Sequence, residues 1–283
     1  VQQAYWVGRR KSMGLGNIST HIYVEYELRG LEQDKFNQAL NKVIARHGML
    51  RAIVTDDGMQ KILPEVPAYH AQFHVTQNDN EFQQLCLSLR DTMSHQMIDC
   101  SRWPLFEIAG VVDHDNKTRL HVSIDLLVAD AWSLELFMRE LAWFYHHPQE
   151  TLPDITYSFR DYVQTLKSYE QTPQYERARE YWRERVQTMP SGPRLPLLVD
   201  PSELDNPSFV RRSHSLSRAL WQRLKLQAGQ MNITPTTLLL SCFAQVLARF
   251  SASQHFTLNL TLFNRLPLHD DINYLVGDFT SLT

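Results

Sequence analysis

Two carboxylates five residues apart, with a serine three further on, are the groups of this chain best spaced to do chemistry: Asp125-Leu126-Leu127-Val128-Ala129-Asp130-Ala131-Trp132-Ser133. Asp125, Asp130 and Ser133 leave an alternating segment and enter an amphipathic one, a junction where side chains commonly converge on a cleft. The two acids could work as an acid–base pair, as in glycosidases, or one of them could be structural; spacing alone favours the structural role. Upstream, Leu120, Val122 and Ile124 share one strand face and Arg119, His121, Ser123 and Asp125 the other, so one face is expected to pack and the other to carry polar chemistry. Downstream, Leu134, Phe137, Leu141 and Phe144 recur at helical spacing, and Asp130 or Ser133 stands where a helix N-cap belongs. A carboxylate buried at such a junction needs a cation. Arg265, between an apolar strand and a proline, is the arginine hardest to explain as solvent-facing, which points to an Asp130–Arg265 ion pair.

Other chemistries fit less well. A hydrolytic triad needs its nucleophile on a sharp turn, but there is no Gly-x-Ser-x-Gly, and Ser133 falls in a first helical turn. No His-Glu-x-x-His is present, and His146-His147 are adjacent at a helix end, where capping accounts for them better than metal binding. Gly14-Leu15-Gly16 lacks the preceding strand and third glycine of a dinucleotide loop and reads as a flexible loop.

The elements that must position these groups are those of an α/β protein. With 283 residues, 43% hydrophobic and 21% charged, there is material for one large domain or two lobes. A net charge of −3 gives no footprint for nucleic acid, and no apolar run approaches the roughly 20 residues that span a bilayer. Cys86, Cys100 and Cys242 are scattered and odd in number, as expected of packed free thiols in a reducing cytosol. The ends, opening on Val1 without a methionine and stopping at Thr283, suggest a piece of a longer protein.

Alternation at 22–28 predicts a strand, and Phe36, Leu40, Val43 and Ile44 a helix. A hairpin over 50–63 turns at Asp56-Asp57-Gly58, a helix covers 82–97, and a strand 105–112 precedes the acid-bearing turn. A linker at 148–153 leads to a helical stripe through Phe159, Tyr162, Val163, Leu166 and Tyr169. Pro173 interrupts it, a helix resumes over 175–189, and 190–207 is a proline-rich connection. Beyond it, 209–216 reads as a strand, Ser217 and Thr234-Pro235 open two helices, and 255–263 reads as a buried strand.

Six blocks stand in order along the chain: Gln3-Ala4-Tyr5-Trp6-Val7-Gly8-Arg9, Arg46-His47-Gly48-Met49-Leu50-Arg51, the Asp125/Asp130/Ser133 segment, Phe159-Arg160-Asp161-Tyr162, Leu195-Pro196-Leu197, and 259–283. The last includes Asn264-Arg265-Leu266-Pro267-Leu268-His269 and Val276-Gly277-Asp278-Phe279-Thr280. Together they resemble the heterocyclization domains of nonribosomal peptide synthetases, relatives of condensation domains, over essentially the whole chain. Ordinary condensation domains carry H-H-x-x-x-D-G at the turn. Here the aligned positions are Asp125 and Leu126, and leucine transfers no proton.

The resemblance implies two chloramphenicol-acetyltransferase-like lobes in a V arrangement with a tunnel between them, the second lobe incomplete: 1–155, a helical and proline-rich bridge at 156–207, and 208–283. It implies amide formation between a carrier-bound acyl donor and a carrier-bound Cys, Ser or Thr, then cyclodehydration to a thiazoline or oxazoline, commonly in siderophore assembly. The partners implied are upstream and downstream peptidyl or aryl carrier proteins and adjacent synthetase domains, in the cytoplasm. No cofactor is bound directly, substrates riding on the carriers' phosphopantetheine, and no metal is called for. Asp125, Asp130 and Ser133 would frame the site at the tunnel mouth, with Arg265 holding Asp130. Asn259, Thr261, Asn264, His269, Asp278 and Thr280 are tunnel or substrate-binding candidates. Asp125→Ala is expected to impair turnover with little loss of folding. The family's cyclodehydration threonine and aspartate lie further along than Thr283, so the 283 residues alone are expected to lack cyclization. A condensation-only member of a paired set and a non-catalytic carrier-docking lobe stay open.

Overall fold

In the computed structural model, which describes residues 1–9, 18–204 and 208–283, the acid-bearing turn ends the central ladder of a four-stranded sheet. The elements are helix α1 (Gln2–Val7), strand β1 (His21–Arg29), α2 (Gln33–Arg46), β2 (Ala52–Val54), β3 (Gln60–Ile62), β4 (Gln72–Val75), α3 (Asp79–His95), β5 (Phe106–Val112) and β6 (Lys117–Asp125). They continue as α4 (Ala131–His146), α5 (Phe159–Tyr169), α6 (Pro173–Val186), α7 (Arg218–Gln230), α8 (Pro235–Phe250), β7 (Thr261–Phe263) and β8 (Thr280–Leu282). Two compact units result, one of Val1–Gln171 with Thr261–Thr283 and one of Thr172–Leu260.

In the larger unit the sheet order is β1-β6-β5-β4, antiparallel except for the parallel β4/β5 pair. The register sets His21 opposite Asp125 and Glu25 opposite His121. Leu120, Val122 and Ile124 turn into a core with Phe36, Leu40, Val43 and Ile44 of α2 and Leu136, Phe137 and Leu141 of α4. Each such side chain contributes about 1.5–3 kcal/mol when fully buried. Helix α2 stops at His47, whose extended backbone lets its Nε2 reach Glu140 Oε2 of α4 at 2.7 Å.

The opposite face is not the open polar surface its alternation suggested. Helix α3, capped by Asn78, covers it with Phe82, Cys86 and Met93 against Ala109, Val111 and Tyr23. His121, Ser123 and Asp125 are therefore buried. Polar residues at period two identify a face, and only a third element decides whether that face meets water.

Other expectations shift for similar reasons. Pro173 opens α6 at its first turn, with Thr172 as N-cap, because that position leaves no helical hydrogen bond unmade. The 209–216 segment carries no strand and exposes Phe209 and Val210, and 255–263 contributes only the exposed β7, paired with β8. Alternation forms a strand only where another backbone lies alongside. Of the three cysteines, Cys86 is buried, Cys100 half-buried and Cys242 exposed, not packed. Strand β4 and helix α1 were not anticipated. Gly14-Leu15-Gly16 lies outside the described residues, as do the last residues of the 190–207 connection.

The compact units are drawn differently from the divisions 1–155, 156–207 and 208–283, because 261–283 returns to pack on the larger unit. The smaller unit holds α6, the α7/α8 pair and the connection between them. Its α8 buries no residue and exposes Leu239, Phe243, Val246 and Phe250 along one stripe. Among the described residues no single helix is long and apolar enough to cross a membrane.

Candidate functional site

Each carboxylate of the turn is held by an arginine from a distant segment. Asp125 closes β6, where its Oδ1 accepts from the Leu127 backbone N–H at 3.0 Å, so the acid shapes the turn it opens. Its Oδ2 accepts from Ser19 Oγ at 2.7 Å and forms an ion pair with Arg9, which also donates to Ser19 Oγ and the Ile98 carbonyl. Asp125 is 1% exposed and the Arg9 side chain 9%. Asp125 is thus buried and charge-compensated. A charge removed from water persists only if so paired.

Asp130 is the N-cap of α4 and fully buried. Its Oδ1 accepts from the Ser133 N–H at 2.7 Å and from Arg265 Nη2 at 3.1 Å, and its Oδ2 from the Phe279 N–H at 3.3 Å. Ser133 Oγ lies 2.6 Å from Asp130 Oδ1 and 2.8 Å from the Gly277 carbonyl, and accepts from the Gly277 N–H and Arg265 Nη2. Arg265 Nη1 donates to the Ile272 and Leu275 carbonyls at 2.8 Å each, and its guanidinium stands 3.9 Å over the Phe279 ring. Burial lowers the pKa of Arg265, while the Asp130 charge opposes that shift. The same knot needs Gly277: a Cβ there would sit 2.3 Å from the Phe159 ring.

Asp278 and Thr280 flank this knot. Asp278 is 7% exposed and accepts from the Thr280 N–H at 3.1 Å. Burial above all raises its pKa, hydrogen bonds from Thr280 oppose this, and the Asp130 charge adds to it. Tyr5 of α1, whose hydroxyl is also pushed up by burial and then by Asp278, approaches the same group. Other candidates stand elsewhere. His269 stacks on Tyr157 at 4.3 Å, and its Nδ1 accepts from the Asp271 N–H. The Asn264 backbone bonds Phe279 and the Tyr162 hydroxyl while its side chain is exposed. Thr261 is exposed on β7, and Asn259 is exposed in the other unit.

Arg9 stands in the first of the six sequence blocks, but nothing in the sequence marks it as the partner of Asp125. Gly277 and Phe279 likewise stand in the last block without a sequence signal for their contacts to Asp130 and Ser133. Between residues 120 and 130 Leu126 alone is not buried.

A model of the condensation-domain family matches residues 11–283. The chain belongs to the condensation-domain family. It is 39% identical to the solved EpoB NRPS cyclization-docking bidomain from Sorangium cellulosum, with a TM-score of 0.87 over 99% of this chain and 57% of that one. Bacitracin synthase 1 from Bacillus licheniformis is 37% identical over 100% of this chain and 5% of its own length. Phenyloxazoline synthase MbtB from Mycobacterium sp. (strain MCS) is 37% identical over 99% of this chain and 24% of its own. This condensation domain therefore spans a quarter or less of those curated relatives. Its α/β fold is that of the solved condensation domains of nonribosomal peptide synthetases, as the resemblance implied.

Proposed function

We propose that this condensation domain is of the heterocyclization type. The observation that carries the reading is the turn itself: two aspartates consumed in buried ion pairs, with Leu126 presented between them where condensation domains place a histidine. The likeness to the EpoB cyclization bidomain and the phenyloxazoline synthase supports it.

On this reading the amine of a carrier-bound Cys, Ser or Thr attacks the donor thioester carbonyl, a carrier thiol leaves, and an amide forms. The side-chain thiol or hydroxyl then attacks the amide carbon, and water leaves to give the thiazoline or oxazoline. Both reactants arrive on phosphopantetheine arms, which makes their encounter intramolecular and oriented, and this supplies much of the acceleration without a side-chain base. Asp125, Asp130 and Ser133 frame the site by fixing the turn, α4 and the returning 265–280 segment. Asn259, Thr261, Asn264, His269, Asp278 and Thr280 are the residues proposed to supply polar groups around it. Peptidyl or aryl carriers and neighbouring synthetase domains are the proposed partners, siderophore assembly the proposed setting, and the cytoplasm the proposed compartment. The lobe divisions at 155 and 207 belong to the same proposal.

Intact mass spectrometry of the downstream carrier, after incubation of the full-length protein with both loaded carriers, tests this. Donor plus acceptor minus water is the expected product. An amide of full mass would make the domain condensation-only, and unchanged carriers would make it a docking module.

A further inference from the structure

The α3-covered face of β6 holds a row of polar atoms that neither chemistry nor capping has used. Among the described residues, four buried side-chain atoms without a hydrogen-bond partner fall on this one strand: Thr118 Oγ1 alone on the core face, and Arg119 Nε, His121 Nε2 and Ser123 Oγ on alternate residues of the α3-covered face. His121 and Ser123 are fully buried. An unsatisfied buried polar group costs about 1–3 kcal/mol, and native interiors leave only a few, scattered, per hundred residues. Three in a row therefore point to something that answers all of them.

The hydrogen-bonding roles along the row are fixed by the neighbours. Glu25 receives Arg90 Nε at 2.5 Å and Arg119 Nη1 at 3.0 Å, and the Arg90 contact above all holds its carboxyl down at about 2. Ionised, it only accepts, so the single Tyr23 hydroxyl proton points to Glu25 Oε1 at 2.8 Å. The Tyr23 oxygen then accepts from His121 Nδ1, 2.6 Å away, which makes Nδ1 the protonated nitrogen and leaves Nε2 as a bare acceptor. Burial, which lowers the His121 pKa, agrees with a neutral ring. The row thus reads donor at Arg119, acceptor at His121, and either at Ser123.

We propose that the seam between β6 and α3 is a built water site, with ordered waters bridging Arg119 Nε–H, His121 Nε2 and Ser123 Oγ. Water is the guest whose chemistry matches. It accepts from the first, donates to the second and does either with the third, and such sites take two to four polar partners per molecule. Alternate side chains of a strand stand about 7 Å apart, which one or two waters span. The bridge locks the His121 tautomer and, through Tyr23 and Glu25, ties the sheet to Arg90 of α3. It does not depend on the reaction catalysed.

A crystal structure of the full-length protein at a resolution that shows ordered water tests this directly, with peaks expected at hydrogen-bonding distance from both His121 Nε2 and Ser123 Oγ. Imidazole nitrogen-15 shifts should show Nδ1 protonated and Nε2 bare. A dry seam, or His121 Nε2 bonded straight to a protein group, overturns the proposal, as does the opposite tautomer. The melting temperatures of His121→Leu, Ser123→Ala and the double variant give a second reading. A shared water makes each single change lower the melting temperature and the double recover part of the loss, whereas strictly additive losses count against a shared bridge.

Discussion

Replacing Asp130 by alanine should cost about 4–6 kcal/mol. Losing the side-chain cap of α4 accounts for about 1 kcal/mol of that. Stranding Arg265, whose side chain is 5% exposed beside a fully buried partner, accounts for about 3–5 kcal/mol, the usual penalty for one half of a buried pair. Against a typical stability of about 5–15 kcal/mol this removes a large share. Asp130→Asn keeps a good capping oxygen and should cost about 1 kcal/mol less than the alanine. Urea unfolding of Asp130→Ala, Arg265→Met and the double variant closes a mutant cycle, with an expected coupling of about 2–3 kcal/mol. If Asp130→Ala unfolds within about 1 kcal/mol of the parent, or the two changes simply add, the pair does not organise the turn.

Asp125→Ala, which the resemblance suggested would spare the fold, should instead lower the unfolding free energy by about 3 kcal/mol or more, since it strands Arg9; an unchanged unfolding free energy would argue against the buried pair. Asp278→Asn should raise the melting temperature at neutral pH. The folded pKa of Asp278 is raised, so wild-type stability is full below the unfolded carboxylate value of about 3.9 and is lost as pH rises through the folded pKa; the advantage of Asn should therefore vanish in acid, and melts across pH 3 to 8 check it. Gly277→Ala should destabilise by about 1–3 kcal/mol through the Phe159 ring, measured by the same unfolding assay.

Much of this was legible in the residues. The strand, turn and helix around Asp125 and Asp130 follow from two periods and a capping residue, and Arg265 is conspicuous because apolar neighbours and a proline leave a cation little reason to be there. Arg9 was not legible as a partner, since the face carrying Asp125 read as open to solvent. The hint lay in α3, where Phe82, Cys86, Leu89 and Met93 recur at helical spacing and call for a surface to cover. Segments 209–216 and 255–260 misled because alternation describes a strand's faces and not whether a partner strand is present. The return of 261–283 to the first unit is carried by Ile272, Leu275, Val276 and Phe279 in the core and by hydrogen bonds of Gly277 and Phe279 with the acid-bearing turn, a run too short and irregular to show a period.

The central claim is that the two aspartates hold the site rather than move protons. Condensation by Asp125→Asn, measured in the full-length protein as single-turnover amide formation per folded molecule, tests it most directly. A general base contributes about 10²- to 10⁴-fold. A rate within about tenfold of the parent is expected, accompanied by a lowered unfolding midpoint, because Asn keeps the turn geometry but loses the charge that answers Arg9. A fall of 10²-fold or more with an unchanged midpoint would contradict it.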